Sequence, residues 1–572
     1  MTPEQFMANF GAIAEAPEGI PRLRAKVLSL AATGRLDTQE ASDEPAGRLL
    51  ERIERERSQA LGEKKSSKVP RDLSPPFDLP VSWRWATAAQ VFVSISDGDH
   101  QPPPKTETGI PFLVIGNVSG GAISLKETRY VAKKYYQGLD PVRTPRVRDI
   151  LYTLVGSYGI AVPVRQGDTP FCIQRHMALL RPPESMDESY LVHLLSSGFM
   201  YEQATSVATG TAQKTVPLRG LRRFALPVPP LAEQKRIVAK VDQLMSMLND
   251  LEQRQEKKRS AAVHVSNASL DSLVNAEDPD QLAVAWERVS KNFGVMAGAE
   301  GGLERLRDAA MSLCMAGRLG GRSEAAGAEL VERAKKRLAV MQSAKRGRNS
   351  PLVEPEIREA ERLCSVPATW CWTRLGLVTQ VSGGVTKGRK LEGRKTTSLP
   401  YLRVANVQRW QLDLALMKEI DVPVEEVEKY RVQPGDVLLT EGGDWDKLGR
   451  AVVWRGEIET CLHQNHVFRV RGVVDEILPE WIEAWCNFRA GREYFQSCSK
   501  QTTNLASVNM RQLRHLPIAI PSAAEQREIL SRLRTFGERF AVLRERSDRL
   551  QQAASNLAVA ATSVASPSQG YR

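Results

Sequence analysis

The chain contains an internal repeat, and this repeat restricts its fold more than any other feature of the sequence. Three phrases return in the same order, RLRAKVLSLAATGRL as RLRDAAMSLCMAGRL, PFLVIGNV as PYLRVANV, and LPVPPLAEQKRIV as LPIAIPSAAEQREIL. The first pair begins at Arg22 and Arg305 and the last at Leu226 and Leu516, so the separation changes only from 283 to 290 residues. Two copies of one structural unit, differing by a few loop insertions, are therefore predicted.

Each copy contains a charged helical arm, a mixed segment of short strands and turns, and a long helix. The arms GRLLERIERERSQA and AELVERAKKRLAVM carry apolar residues at helical spacing. The mixed segments contain β-rich runs such as DILYTLVG and DVLLTEGG, broken by Gly, Pro and Asp. The predicted fold is two mixed α/β domains alternating with two long helical regions. The predicted boundaries are an N-terminal helical arm and linker (1–80), domain 1 (81–229), a first long helix (230–275), a linker and second helical arm (276–366), domain 2 (367–520), a second long helix (521–561) and a tail (562–572).

The two long helices carry apolar residues at heptad spacing. The first seam consists of Ile237, Val241, Leu244, Leu248 and Leu251, and the second of Ile529, Leu533, Phe536, Phe540 and Leu543. Ser522 and Glu525 form a capping box at the start of the second helix. Two matched seams in one chain predict an antiparallel coiled coil with a pseudo-two-fold internal repeat. The alternative is that each seam packs on its own domain.

The composition favours a cytoplasmic protein with a polyanionic partner. The chain has 79 basic and 67 acidic residues, a net charge of +12 and a pI near 9.3, although many mildly basic proteins bind no nucleic acid. Seven scattered cysteines without a C-x-x-C pair oppose a disulfide framework and a thiolate zinc site. No apolar run approaches the roughly 18 residues of a membrane span, and the first residues do not form a signal-peptide pattern. We expect neither export nor a membrane partner.

The order of these phrases resembles the specificity subunit of a type I restriction-modification system. The matching phrases include SDGDHQPP, GSYGIAV, FCIQRHMALLRP and TGTAQKTVPLRGLRRFALPVPPLAEQKRIV, then GGDWDKLGRAVVW, HQNHVFRV and TTNLASVNMRQLRHLPIAIP. The resemblance covers nearly the whole chain. It implies two target-recognition domains on double-stranded DNA, two docked methyltransferase subunits and further restriction subunits. It implies no cofactor in this chain, S-adenosylmethionine in the methyltransferase partners, and ATP with magnesium in the restriction partners.

Helix length and sequence divergence refine this expectation. About 23 helical residues span roughly 35 Å, which is about one turn of B-DNA. The long helices are therefore expected to set the spacing between two half-sites. Because the two domains differ greatly outside the shared phrases, the target is expected to be asymmetric and bipartite rather than palindromic.

Polar residues in the predicted turns are the candidate DNA contacts. Arg, Lys, Asn and Gln read base edges, while Lys, Arg, Ser and Thr hold phosphates, although a polar loop residue is commonly only solvated. The candidates in domain 1 are Lys105, Ser157, Tyr158, Gln174, Arg175, His176, Gln213 and Lys214. Those in domain 2 are Thr386, Lys387, Arg389, Lys390, Trp445, Lys447, Gln464, Asn465, His466, Thr503 and Asn504. The basic, Gly-rich stretch SGGVTKGRKLEGRK favours phosphate binding, with a solvated turn as the alternative.

The sequence provides no motif for chemistry. Cys461, His463 and His466 lie close together, but a tetrahedral metal site requires four ligands, so no metal site is expected. The chain lacks a G-x-x-x-x-G-K-[ST] loop, a Gly-rich dinucleotide-binding turn and an N-P-P-Y-like tetrad. We therefore expect a non-catalytic DNA-specificity subunit. A coiled-coil scaffold without DNA readout and a self-contained DNA-modifying enzyme remain the alternatives.

Overall fold

The computed structural model describes residues 8–63, 69–98, 103–168, 170–211, 213–319, 326–343, 353–443, 447–501 and 506–562. The chain divides into two compact units, which comprise residues 1–257 with 549–572 and residues 258–548. None of the helices within the described ranges combines the length and the apolar character needed to cross a bilayer.

The first unit begins with a helical hairpin that depends on a glycine. Helix α1 (Phe10–Glu15) is followed by α2 (Gly19–Ala32) and then by the charged arm α3 (Ala46–Leu61). A Cβ atom on Gly19 would lie 1.9 Å from the carbonyl oxygen of Ile13. Only glycine therefore permits this close approach between α1 and α2.

Domain 1 follows the arm and consists of short strands and helices. In chain order they are β1 (Arg84–Thr87), α4 (Ala88–Val91), β2 (Ser94–Asp97), β3 (Ile110–Leu113), β4 (Arg129–Val131), α5 (Lys133–Gln137), β5 (Ile150–Thr153), β6 (Ala161–Pro163), β7 (Cys172–Ile173), β8 (Met177–Arg181), α6 (Glu188–Leu195), α7 (Gly198–Val207), α8 (Leu218–Leu221) and β9 (Ala225–Val228). A 3-10 turn covers Ile115–Asn117.

The described strands of domain 1 form sheets in the orders β2-β8-β5-β6, β4-β3-β7 and β1-β9. Strand β5 is buried on both faces, because Ile150 and Tyr152 enter one apolar core while Leu151 enters another. The antiparallel pairing of β1 with β9 places Arg84 opposite Val228. This pairing joins the two ends of the domain and fixes where the next helix begins.

The first long helix is followed by three further helices. They are α9 (Leu231–Val274), α10 (Pro279–Gly298), α11 (Gly302–Met315) and α12 (Gly327–Ser343). The sequence predicted a linker and one helical arm over 276–366, and the structure adds two helices, α10 and α11, that this prediction did not include. They form a hairpin like that of α1 and α2, since a Cβ atom on Gly302 would lie 1.8 Å from the carbonyl oxygen of Met296.

Domain 2 repeats the order of elements of domain 1 and adds three short strands. It contains β10 (Cys371–Arg374), α13 (Leu375–Val378), β11 (Thr379–Ser382), β12 (Thr396–Leu402), β13 (Lys418–Pro423), α14 (Val427–Tyr430), β14 (Val437–Thr440), β15 (Gly442–Gly443), β16 (Ala451–Val453), β17 (Leu462–His463), β18 (Val467–Gly472), α15 (Pro479–Asn487), α16 (Arg489–Cys498), β19 (Lys500–Gln501), β20 (Ala506–Ser507), α17 (Met510–Arg514) and β21 (Pro517–Ile520). The chain continues into α18 (Ala523–Thr562). Further 3-10 turns cover Glu359–Glu361, Val404–Asn406 and Val424–Glu426.

The sheets of domain 2 repeat the strand orders of domain 1. Their orders are β11-β18-β14-β16, β13-β12-β17 and β10-β21, with a small additional sheet, β15-β20-β19. The repeat seen in the sequence is therefore also a repeat of topology.

The predicted heptad seams divide between two kinds of packing. The first seam residue of each helix is buried in the apolar core of its own domain, Ile237 in domain 1 and Ile529 in domain 2. Farther along α9, Leu248 packs with Ala558 and Ala561 of α18 in the first unit. The heptad pattern predicts one continuous seam in which the two long helices pack on each other. This prediction is wrong for the first turns of the helices, because the domain cores already cover those residues.

The remaining seam residues follow the same division. The seam residues that contact the domain cores are Val241, Leu533 and Phe536. Leu251 and Phe540 pack against clusters formed by helices. Leu244 and Leu543 are half-buried along their helices. In the second unit, Phe540 packs against the cluster that contains Leu270 and Leu273 of α9. The alternative interpretation, packing on the parent domain, thus applies to the first turns only.

Candidate nucleic-acid interface

A polar turn between β7 and β8 forms the centre of the candidate site in domain 1. The amide of Gln174 donates to the carbonyl oxygen of Leu113 at 3.0 Å, and the carbonyl oxygen of His176 accepts from Leu154 at 2.9 Å. These bonds fix the turn from both sides. A Cβ atom on Gly98 would lie 2.0 Å from the carbonyl oxygen of Ile173, so the phrase that begins SDG approaches the same turn.

A second loop brings four more candidates together. The hydroxyl of Thr153 donates to the carbonyl oxygen of Ser157 at 2.7 Å, which folds the loop that carries Tyr158. The amide of Gly156 donates to the carbonyl oxygen of Lys214 at 3.0 Å. Ser157, Tyr158, Gln213 and Lys214 therefore lie on adjoining backbone segments. The amide of Val216 donates to Leu154, which also contacts the 174–176 turn, so both loops belong to one surface.

The remaining candidate of domain 1 lies apart from this surface. Lys105 is exposed beside Thr106, which pairs with Tyr130 at the edge of the β4-β3-β7 sheet. No described contact joins Lys105 to the 174–176 turn.

Domain 2 repeats the hydrogen bonds of the first turn. The amide of Gln464 donates to Leu402 at 2.9 Å, and the carbonyl oxygen of His466 accepts from Glu441 at 3.0 Å. The amide of Val508 in turn donates to the carbonyl oxygen of Glu441 at 2.8 Å. The two turns therefore share one backbone framework but present different side chains, Gln-Arg-His in domain 1 and Gln-Asn-His in domain 2.

The Gly-rich loop of domain 2 adjoins this turn. The amide of Val385 donates to the carbonyl oxygen of His463 at 2.7 Å, and the amide of Asn465 donates back to Val385 at 2.9 Å. Thr386 and Lys387 therefore follow directly beside the turn, and both are exposed. A Cβ atom on Gly384 would lie 1.9 Å from the carbonyl oxygen of His463, as at Gly98 in domain 1.

The arginines of this loop are partly neutralised by acids that the sequence did not connect with them. Arg389 bonds Glu426 at 2.7 Å, and Arg394 bonds Glu426 at 2.8 Å and also Glu425. The bonds to these arginines lower the pKa of both carboxyl groups. The arginines therefore anchor the loop through ion pairs, and its three lysines, Lys387, Lys390 and Lys395, are exposed to solvent.

Other candidates of domain 2 lie around Glu441. Nδ1 of the His466 ring forms a hydrogen bond with the Glu441 carboxylate. The carbonyl oxygen of Lys447 accepts from the hydroxyl of Thr440 at 2.9 Å, which repeats the Thr153–Ser157 bond of domain 1. Trp445, Thr503 and Asn504 lie outside the described residues.

Burial lowers the pKa of two histidines near the turns. His463 is fully buried, its Nδ1 bonds the carbonyl oxygen of Val467 at 2.7 Å, and burial lowers its pKa to about 4. Burial and the neighbouring Arg175 lower the pKa of His176. Within the described ranges, no group of three or more His, Cys, Asp and Glu side chains is placed to hold a metal ion.

The structure adds an aromatic residue that sequence reasoning missed. The ring of Tyr201 on α7 stacks on Tyr158 with centroids 5.4 Å apart and an interplanar angle of 12°. The hydroxyl of Tyr158 bonds that of Thr205 at 3.0 Å, and Tyr201 is 52% exposed. Tyr201 is therefore a fixed aromatic surface beside Ser157 and Lys214. Since 43 residues separate it from Tyr158, no local signal could reveal this pairing.

These features define a class of protein. Each unit presents turns rich in amide and cationic side chains at the ends of strands, held by a backbone network that leaves the side chains free to differ. Such surfaces suit sequence-dependent recognition of nucleic acid.

Comparison with known proteins identifies the family. The model of the type I restriction modification DNA specificity domain matches residues 104–259 and 367–552. The chain therefore belongs to the type I restriction-modification DNA specificity family, as its sequence phrases predicted. It is 24% identical over 573 residues to the type I restriction enzyme EcoEI specificity subunit of Escherichia coli, covering 96% of this chain and 94% of that protein. It is 23% identical over 538 residues to the EcoAI specificity subunit of Escherichia coli, covering 90% and 88%. The prediction of a specificity subunit rather than a catalytic one is confirmed.

Solved structures of such subunits are also similar. The HsdS subunit from Thermoanaerobacter tengcongensis aligns with 16% identity and a TM-score of 0.40, over 86% of this chain and 98% of that one. A chain from work on complex assembly and conformational transition of the type I R-M system aligns with 19% identity and a TM-score of 0.44, over 85% and 98%.

Proposed function

We propose that domains 1 and 2 each recognise one half of an asymmetric, bipartite DNA target. The observation that carries this proposal is the shared turn framework with unlike side chains. Gln174 and Gln464 occupy the same position, but Arg175 in domain 1 is replaced by Asn465 in domain 2. Arg pairs preferentially with guanine and Asn with adenine. One scaffold used twice with different side chains favours two unlike half-sites.

The long helices α9 and α18 are proposed to run antiparallel and set the distance between the half-sites. In the first unit Leu248 shares a cluster with Ala558, and in the second unit Leu270 shares one with Phe540. An earlier residue of α9 thus shares a cluster with a later residue of α18, and a later residue of α9 shares one with an earlier residue of α18. This order supports the antiparallel direction. The helix between Leu248 and Leu270 spans roughly 33 Å, about one turn of B-DNA.

The chemistry is proposed to come from partner subunits in the cytoplasm. Two methyltransferase subunits using S-adenosylmethionine would dock on this chain, and restriction subunits using ATP and magnesium would join them. The family membership and the names of the relatives, which are specificity subunits of restriction enzymes, support this assignment.

The helical spacing can be tested by inserting one turn into α9. Because Val241 and Leu248 are buried in clusters, residues 240–251 are unsuitable, and the insertion belongs in the exposed stretch 256–261. Methylation mapping of cells that express the chain with its partners should then show a changed spacer and unchanged half-sites. Altered half-sites would contradict the role of the helices. Methylation without sequence preference would contradict the role of the two domains.

A further inference from the structure

A cleft of about 580 Å³ in the second unit is lined by residues of α11, α15 and α18. Its apolar lining includes Met311, Leu530, Leu533 and Phe536, and the exposed Trp410 also lines it. We call this feature the Trp410 cleft.

Trp410 adopts a backbone conformation that a bulky residue rarely takes. Its φ of 70° falls in the left-handed region. The equivalent residue of domain 1 is Gly121, with a φ of 78°. The two turns match in length, because the amide seven residues after each of Asn117 and Asn406 donates to the carbonyl oxygen of that asparagine at 2.8 Å. Glycine satisfies the scaffold at this position, so the fold does not require the strained tryptophan, which favours a role in binding.

The space equivalent to the cleft is bridged in the first unit. There Nε2 of His193 on α6 bonds Oδ1 of Asp242 on α9 at 2.9 Å. The matched amides before α6 and α15 and the repeated phrase AEQ show that the equivalent residues of the second unit are Ala484 and Arg534. Ala484 has no polar group to form such a bridge, and Arg534 is exposed. The gap between α15 and α18 therefore stays open.

Charged side chains also line the Trp410 cleft, and most of them are cationic. They are Arg307, Arg455, Arg527, Arg534, Glu480 and Glu483. Glu480 is paired with Arg455 at 3.3 Å. Nη2 of Arg307 lies 3.7 Å from Oδ1 of Asp308. Glu483 is buried and accepts a hydrogen bond of 3.2 Å from the amide of Val453. Both acids of the lining are therefore already engaged.

The two arginines of α18 are the cations of the cleft that remain available. Arg527 and Arg534 are exposed, and neither has a carboxylate within ion-pair distance among the described residues. Seven residues separate them, so they lie on one face of the helix, two turns apart. Arginines beside an apolar pocket are suited to a protein segment that carries a large apolar side chain flanked by carboxylates.

The α15 wall of the cleft lies away from the turns proposed to read DNA. In the sheet β11-β18-β14-β16, Thr440 pairs with Val467, which directly follows the reading turn. At the other end of the sheet Val437 pairs with Val453, whose amide bonds Glu483 of the cleft. A protein partner is therefore favoured over the duplex.

We propose that the Trp410 cleft anchors an acidic segment of one methyltransferase subunit through an apolar side chain. This inference rests on the proposed function, in which methyltransferase subunits dock directly on this chain. Because His193 and Asp242 bridge the equivalent space of the first unit, the anchor is available at one docking position. The two methyltransferase subunits should therefore bind with unequal affinity.

The test titrates the purified methyltransferase subunit into the full chain by calorimetry. Wild type should bind in two steps of different affinity. W410G introduces the residue that domain 1 has at this position, so it removes the indole without straining the backbone. It should weaken the tighter step by roughly 10-fold or more, as truncation of a central interface residue does. The matched control is L416A, which shortens an exposed apolar side chain of the same β12–β13 connection and should bind like wild type.

A second variant closes the cleft without removing its apolar walls. A484H/R534D copies the bridge of the first unit and should weaken the same step as W410G. Two equal steps for wild type, or unchanged binding by either variant, would overturn the proposal. Weaker duplex binding by W410G with unchanged methyltransferase binding would identify a DNA contact and also refute the anchor. Failure of the wild-type chain to bind the methyltransferase at all would instead contradict the proposed function.

Discussion

Nε1 of Trp83 donates a hydrogen bond of 2.9 Å to Oε2 of Glu233, and both side chains are buried. The bond connects the residue before β1 with the first turn of α9. At the equivalent place in the second unit, Trp370 and Glu525 are both buried, but Nε1 of Trp370 has no hydrogen-bond partner among the described residues. The next residues make the same contact in both units, since Gln234 accepts from the amide before α6 and Gln526 from the amide before α15. The phrase AEQ therefore fixes each long helix to its own domain.

Removal of Glu233 should destabilise the first unit. Oε1 of Glu233 also accepts a hydrogen bond of 3.0 Å from the side-chain amide of Gln39. The substitution E233A therefore leaves the donors of Trp83 and Gln39 without their acceptor. A buried group that loses its hydrogen bond costs about 1 to 3 kcal/mol. Denaturant unfolding should show this loss, and E256A, an exposed site on the same helix, should unfold like wild type. Equal unfolding midpoints for E233A and E256A would show that the Trp83 bond does not stabilise α9.

Glu483 should make the stability of the second unit depend on pH. It is 6% exposed, its Oε1 accepts from Val453 at 3.2 Å, and burial raises its pKa to about 7. Between about pH 4.5 and 7 the folded chain keeps this proton while the unfolded chain has released it. Stability should therefore fall as pH rises through this range, by about 3 kcal/mol, and remain level above it.

The measurement compares wild type with E483Q, which keeps the acceptor but cannot ionise. Burial lowers the pKa of His463 to about 4, so its contribution to stability rises between about pH 4 and 6.5 and opposes that of Glu483. The difference between the two proteins isolates the carboxyl group. Parallel stability curves for wild type and E483Q would show that Glu483 is already ionised in the folded chain.

Tyr201 should contribute to recognition of the first half-site alone. Its ring is exposed and held on Tyr158, so it can contact a thymine methyl group or a sugar without further ordering. Y201A should relax one position of the first half-site, by roughly 1 to 3 kcal/mol, in methylation mapping. The second half-site serves as the internal control, and Y201F should behave like wild type. Relaxation of both half-sites would indicate a general structural effect instead.

The repetition of one architecture in the two copies could be predicted because repeated phrases mark residues that the scaffold requires. Gly19 and Gly302 lie where two helices meet, and Asn117 and Asn406 bond the same backbone positions in each copy. Heptad spacing was less informative. It places Ile237 and Leu248 on one helical face but does not say which neighbour covers each, and the domain core covers the first.

The turns of the candidate interface were found because their polar residues follow apolar strands. Their electrostatics could not be predicted, since Arg389 meets Glu426 only after the strands between them have paired. The same holds for the hydrogen bond between His466 and Glu441, which joins loops from different strands. Sequence reasoning thus located the turns but not the charges that remain available to DNA.

Exchange of one residue between the two turns should transfer base preference. Arg175 and Asn465 each follow a glutamine whose amide is fixed by an equivalent backbone bond, so the substituted side chain enters the same framework. N465R should change one position of the second half-site from adenine to guanine, and R175N should do the reverse in the first. Methylation mapping reports both half-sites in one experiment, and K390A, on an exposed loop lysine, should weaken binding without changing either sequence. If N465R weakened binding equally at every sequence, Asn465 would contact the backbone rather than a base.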